Sequence, residues 1–127
     1  MKKLKLFFKI GFYFVNIVLI IFYLYPGSIL GWFLYNDFSI QPQITRDFIV
    51  SANHVYAFIL LTGLGVFSFH NTKKINFLIF YLFLLSIILE LFHIIIPVRA
   101  FEVSDLFGNI AGVILVVFIY KVVIKHV

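Results

Sequence analysis

Four long apolar runs, separated by short segments that hold the lysines and arginines, restrict this chain more than any other feature of its sequence. A hydrocarbon core about 30 Å thick is crossed by about 20 helical residues at about 1.5 Å each. Runs near 8–25, 47–69, 75–96 and 104–123 meet that length. The expected fold class is therefore an all-α membrane protein, with four transmembrane helices in a compact bundle and one domain over residues 1–127. Hydrophobic residues make up 64% of the chain and charged ones 12%, too little polar surface for a water-soluble body. The net charge of +5 does not point to nucleic acid, because the basic residues sit between apolar runs rather than on one solvated face. With no cysteine, disulfides and thiolate metal sites are excluded.

Lys2, Lys3, Lys5 and Lys9 precede "IGFYFVNIVLIIFYLY" much as a secretory signal begins. That run is long and ends in bulky Tyr25 and Pro26 without a small-x-small cleavage site, so an uncleaved anchor is expected. Pro26 and Pro97 close the first and third spans, and Ser104 is the expected N-cap of the fourth. With this threading, Lys2, Lys3, Lys5, Lys9, Lys73, Lys74, Lys121 and Lys125 fall on one side, Arg46 and Arg99 on the other. The positive-inside rule then predicts both termini in the cytoplasm. The segments 26–46 and 97–103 become extracytoplasmic, and Trp32, Phe33 and Tyr35 suit an interfacial loop.

Threading also gathers polar groups at one depth. Glu90 lies seven residues before Pro97, His54 seven residues after Asp47, and Asn109 one turn below Asp105. Ser86, Glu90 and His93 share one helical face, as do Asp105 and Asn109. An acid near a helix centre costs about 2.5–3.5 kcal/mol on insertion scales, so Glu90 needs a partner from another helix; His54, His93 and Arg99 are the cationic candidates. Gly108 and Gly112, with Ala111, form a small-residue packing surface beside Asn109. Asn16 reads as a lone interhelical hydrogen bonder, His70 and His126 as interfacial bystanders.

The pattern Glu90-x-x-His93, Pro97-x-Arg99-x-Phe101, Asp105, Asn109-x-x-Gly112 resembles the carboxy-terminal signature of the VanZ-like family of small bacterial membrane proteins. "HVYAF" at 54–58 is similar to that family's His and aromatic motif, and "YLYPGS" to the end of its first helix. The chain departs from the family pattern at His93, commonly Gln, at Val98, commonly Gly, and at Val50 and Ser51, often Asp-Lys. The resemblance implies an integral protein of the bacterial cytoplasmic membrane and a link to glycopeptide-antibiotic resistance, for which the family is named. It supplies no biochemical mechanism.

Three function classes follow. In the first, an outer-leaflet pocket binds an envelope lipid or lipid-linked precursor through Arg99, Asp105, Asn109 and His93. In the second, Glu90 and His54 act as acid and base on a lipid-like substrate. In the third, the polar residues are glue between helices or toward another membrane protein. Arg99 has two readings, a clamp on Asp105, ranked first, and a fork for an anionic phosphate. His54, Glu90, His93 and Asp105 are metal-ligand types, but without HExxH no metal site is expected, nor any cofactor. Transport by four short spans would require a homo-oligomer.

Overall fold

The computed structural model describes residues 1–124; Lys125 and His126 lie outside them. It contains five α-helices and, among the described residues, no strand: α1 (Lys2–Leu24), α2 (Ile29–Tyr35), α3 (Ala52–Phe69), α4 (Ile75–Leu91) and α5 (Val103–Ile119). Helix α4 runs on through a 3-10 turn at Phe92–Ile94, and α5 through a π turn at Tyr120–Ile124. All but α2 are long and apolar enough to cross a membrane.

The four long helices alternate in direction. Phe8 of α1 packs on Phe67 of α3 with ring centroids 4.4 Å apart, and the Lys9 amine lies 5.4 Å from the Phe69 ring, so the start of α1 adjoins the end of α3. Lys2–Lys9, Lys73, Lys74 and Lys121 therefore share one end of the bundle. The other end gathers the close of α1 and α4 with the start of α3 and α5.

Helix α3 is central and packs on α1, α4 and α5. Its closest neighbour is α5, and glycines explain why: a Cβ on Gly108 would stand 2.7 Å from the Ser51 carbonyl oxygen, and one on Gly112 2.6 Å from that of Val55. Only residues without a side chain permit backbones so close. Phe12, Phe58, Leu61, Leu82 and Val113 fill the core around this seam. Large apolar side chains also face outward, Phe14, Phe77 and Phe118 among them. Such a surface suits lipid and would be a liability in water.

Helix boundaries differ from expectation at the polar end. The second span becomes helical only at Ala52, because Asp47 stays outside and its Oδ1 accepts the Ala52 N–H at 2.9 Å. The Ser51 N–H meanwhile donates to the Ser104 carbonyl at 3.2 Å, tying α3 to α5. Ser104 does not cap the fourth span: Glu102 is the N-cap residue, and its carbonyl accepts from Asp105 and Leu106. Segment 26–46 contains a short helix, α2, capped by Ser28, whose Oγ accepts the Gly31 N–H at 2.9 Å. It ends at Asn36 in the left-handed region, and the chain then folds back so tightly that a Cβ on Gly31 would lie 1.7 Å from the Ile40 carbonyl. In the 97–102 hairpin Val98 has φ 67°, a conformation that costs a β-branched residue about 1–2 kcal/mol. That turn directs Arg99 back toward α1.

Candidate functional site at the polar end of the bundle

The stripe on α4 supplies the deepest acid. Ser86 and Glu90 are fully buried and His93 is nearly so. Glu90 Oε1 accepts the Glu102 N–H at 3.2 Å and meets His93 Nδ1 at 3.1 Å. His93 Nε2 lies 2.9 Å from the Tyr23 carbonyl oxygen, which can only accept, so this nitrogen carries a proton. Glu90 Oε2 is buried with no hydrogen-bond partner among the described residues.

Helices α1, α3 and α5 complete the network. Asn109 is fully buried on α5; its Nδ2 donates to the Ser86 carbonyl at 3.0 Å, which turns Oδ1 toward α1 and α3. There the Tyr23 hydroxyl donates to Oδ1 at 2.6 Å, and His54 Nδ1 sits 2.9 Å from both oxygens. His54 Nε2 faces Asp105 Oδ2 at 3.4 Å, while Nδ1 is 4.0 Å from Glu90 Oε2. The Tyr23 ring stacks on His93 with an interplanar angle of 16° and meets His54 edge-on. His54, Glu90 and Asp105 each offer a ligand atom within 4.8 Å of the others.

Arg99 is not the clamp on Asp105 that was ranked first. Among the described residues it makes no ion pair with Asp105. Its Nε donates to the Tyr25 carbonyl at 3.1 Å, and Nη2 donates to Phe22 and Gly27 carbonyls at 2.7 Å each. These are the orphan carbonyls where α1 ends, and a cation there also meets the negative end of the helix dipole. Burial lowers the Arg99 pKa from its ordinary value, with Glu90, Tyr23 and Asp105 opposing that shift, and the guanidinium stays charged.

A cavity of about 820 Å³ opens beside this network. His54, Arg99, Glu102 and Asp105 line its polar end, and Leu19, Phe22, Leu34 and Leu60 are among its apolar walls. His93 touches the cavity; Glu90 and Asn109 stand behind it. Asn109 thus locks helices together rather than facing a ligand, and Gly108 and Gly112 lie in the α3–α5 seam behind the site.

Tyr23 is the residue that sequence reasoning missed. A tyrosine in the last turn of a span reads as part of an interfacial aromatic belt. Counted inward from Pro26 it lies only three residues deep, against seven for Glu90 and His54, so residue counting gave no signal for it; the phenol reaches the cluster through the length of its side chain.

No protein-family model matches the chain, and neither does any curated protein or solved structure.

Proposed function

We propose that this chain is a VanZ-like integral protein of the bacterial cytoplasmic membrane, with both termini in the cytoplasm. Its outer-leaflet cavity binds the anionic headgroup of an envelope lipid or lipid-linked precursor. One observation carries the reading: a cavity of about 820 Å³ has apolar walls from α1, α2 and α3 and a single cationic guanidinium at its polar end. The hydrogen bonds of Arg99 use Nε and Nη2, so Nη1 keeps both protons for a phosphate oxygen. Clustering of the lysines at the opposite end of the bundle supports the orientation.

A direct test uses full-length protein in nanodiscs and native mass spectrometry. The protein should retain one phosphatidylglycerol in preference to phosphatidylcholine of the same chains. Ala57→Trp, which fills the cavity from α3 and removes no member of the polar network, should lose that lipid and remain folded. Equal retention of the two lipids, or undiminished binding by Ala57→Trp, overturns the reading. Orientation is tested separately by cysteine labelling at Gln43, Thr72 and Glu102, all exposed; reagent added outside intact cells should reach the first and last only.

A second reading, acid-base catalysis on a lipid-like substrate, draws support from His54 lying 4.0 Å from Glu90 and 3.4 Å from Asp105 beside the cavity. Retention of lipid without turnover over long incubation counts against it.

A further inference from the structure

We propose that His54, Asp105 and Glu90 form a binding site for one divalent first-row transition-metal ion, of which Zn²⁺ is the best match. Metal uptake is read without lipid, so the site stands apart from the headgroup reading.

Asn109 fixes the tautomer of His54. Its Nδ2 is fixed on the Ser86 carbonyl, so Oδ1 must be the atom that faces His54 Nδ1 at 2.9 Å. An amide oxygen only accepts, and the one proton of the Tyr23 hydroxyl already goes to the same oxygen. Nδ1 of His54 therefore carries a proton. In neutral His54 the other nitrogen, Nε2, then presents a lone pair to Asp105 Oδ2 at 3.4 Å, acceptor against acceptor. A cation belongs between them, either a proton or a metal.

Glu90 decides in favour of the metal. A proton on Nε2 would satisfy Asp105 and leave Glu90 Oε2 as it stands, fully buried and unpartnered. An orphaned carboxylate oxygen in such a place is costly, and a metal ion is the one cation able to engage all three groups together. One ring nitrogen of His54 and one oxygen each of Asp105 and Glu90 lie within 4.8 Å of one another; the 4.0 Å approach of Glu90 Oε2 is to Nδ1, so metal binding at Nε2 also requires the ring and this carboxylate to turn toward each other. Bonds of about 2.0–2.2 Å place tetrahedral ligands roughly 3.4 Å apart, so closure from 4.8 Å requires up to about 1.4 Å of side-chain adjustment. His54 and Asp105 border the cavity and have room to make it.

Supporting groups are already in place. A metal-binding histidine characteristically gives its other N–H to an oxygen that fixes the ring, and Asn109 Oδ1 does this for His54. Glu90 Oε1 is held by the Glu102 N–H and His93, which leaves Oε2 for the ion. One imidazole and two carboxylates without thiolate match Zn²⁺ or Mn²⁺ rather than Cu⁺. The two carboxylates balance the divalent charge, and Arg99 turns Nε and Nη2 away toward the carbonyls of α1. Three protein ligands leave a coordination position open to the cavity.

The test uses full-length protein purified without a polyhistidine tag and stripped with chelator, then titrated with ZnCl₂ or MgCl₂ by calorimetry. Metal content is measured after gel filtration. Wild type should bind one Zn²⁺ per chain and no Mg²⁺. Asn109→Ala should weaken Zn²⁺ binding by about 10- to 100-fold through loss of the oriented ring. Asp105→Asn and Glu90→Gln, both near-isosteric, should each weaken it further, while Asp37→Asn, outside the cluster, leaves it unchanged. Thermal unfolding of the stripped proteins identifies any variant that fails to fold, and either isosteric variant alone suffices. A stripped wild type that takes up no Zn²⁺, or a folded Asp105→Asn or Glu90→Gln protein that binds it like wild type, overturns the proposal.

Discussion

The two ends of this bundle hold together by different means. At the lysine-bearing end, polar side chains bond within their own neighbourhood: Ser68 Oγ donates to the Leu64 carbonyl at 2.6 Å and Thr72 Oγ1 to that of Phe69 at 2.7 Å. Helices there meet through shape, as where Phe12 packs edge-on against Phe69. At the opposite end, four hydrogen bonds cross between helices and join Tyr23, His54, Asn109 and Ser86, with Glu90 Oε2 4.0 Å from His54. Shape tolerates many apolar sequences of equal volume. A network of donors and acceptors tolerates few.

The largest break in that comparison should come from the seam that serves both ends. Gly112→Leu sets a side chain against the Val55 carbonyl, where a Cβ alone would lie 2.6 Å away, and is expected to cost about 3 kcal/mol or more in unfolding from mixed micelles. Stability equal to wild type would show that α3 and α5 can separate freely. Next, Leu78→Ala, in the shape-held end, should cost about 2–3 kcal/mol by cavity formation and leave Zn²⁺ and lipid binding intact. If binding falls as well, the two ends are not separable.

Asn109→Ala sharpens the comparison from the other side. It removes three hydrogen bonds, and bonds between membrane helices average about 0.6 kcal/mol each, so about 2 kcal/mol is expected. In a double-mutant cycle with Glu90→Gln, the deficit should depart from additivity by about 0.5 kcal/mol or more, because both side chains adjoin His54. Strict additivity would mean that the network is two unrelated pairs.

Smaller effects are expected outside the helices. Val98→Gly should stabilise the protein by about 1 kcal/mol, since glycine adopts φ 67° without strain; destabilisation would refute the strain at this turn. The smallest is local. Hydrogen bonds from the Ser39 hydroxyl and amide hold the Asp37 carboxyl below its ordinary pKa. With a depressed folded-state pKa, the turn keeps this support above the unfolded value and loses it as pH falls through the folded one. The Ser39 amide resonance should therefore titrate with a midpoint below about 3.9.

The same contrast explains what was legible in the sequence. Apolar run length alone located the four long helices, because lipid leaves a run of about 20 apolar residues little choice. Convergence of His54, Glu90, Asp105 and Asn109 was legible because a buried acid demands a partner at its own depth. Asn16 also found a partner, accepting a hydrogen bond from the Tyr81 hydroxyl at 2.8 Å. What stayed hidden depends on backbone groups. Arg99 binds three carbonyl oxygens, which every residue possesses, so no side-chain pairing rule singles them out. The late start of α3 likewise rests on backbone N–H groups claimed by Asp47 and Ser104. A ligand set drawn from three helices has no local motif, so the missing HExxH could not speak for or against it.

The reach of Arg99 also bears on the order in which the protein is made. It closes carbonyls at Tyr25 and Phe22 that precede it by 74 and 77 residues. A ribosome finishes α1 long before it synthesises the group that completes it. Until the 97–102 hairpin has emerged and turned, the last carbonyls of α1 rely on water or headgroups. The polar rim of the cavity, formed by Arg99, Glu102 and Asp105, has no counterpart in a nascent chain of three spans. That polar rim comes into being only when the final hairpin docks, so a stalled translation product carries the apolar walls of the site without its charged end.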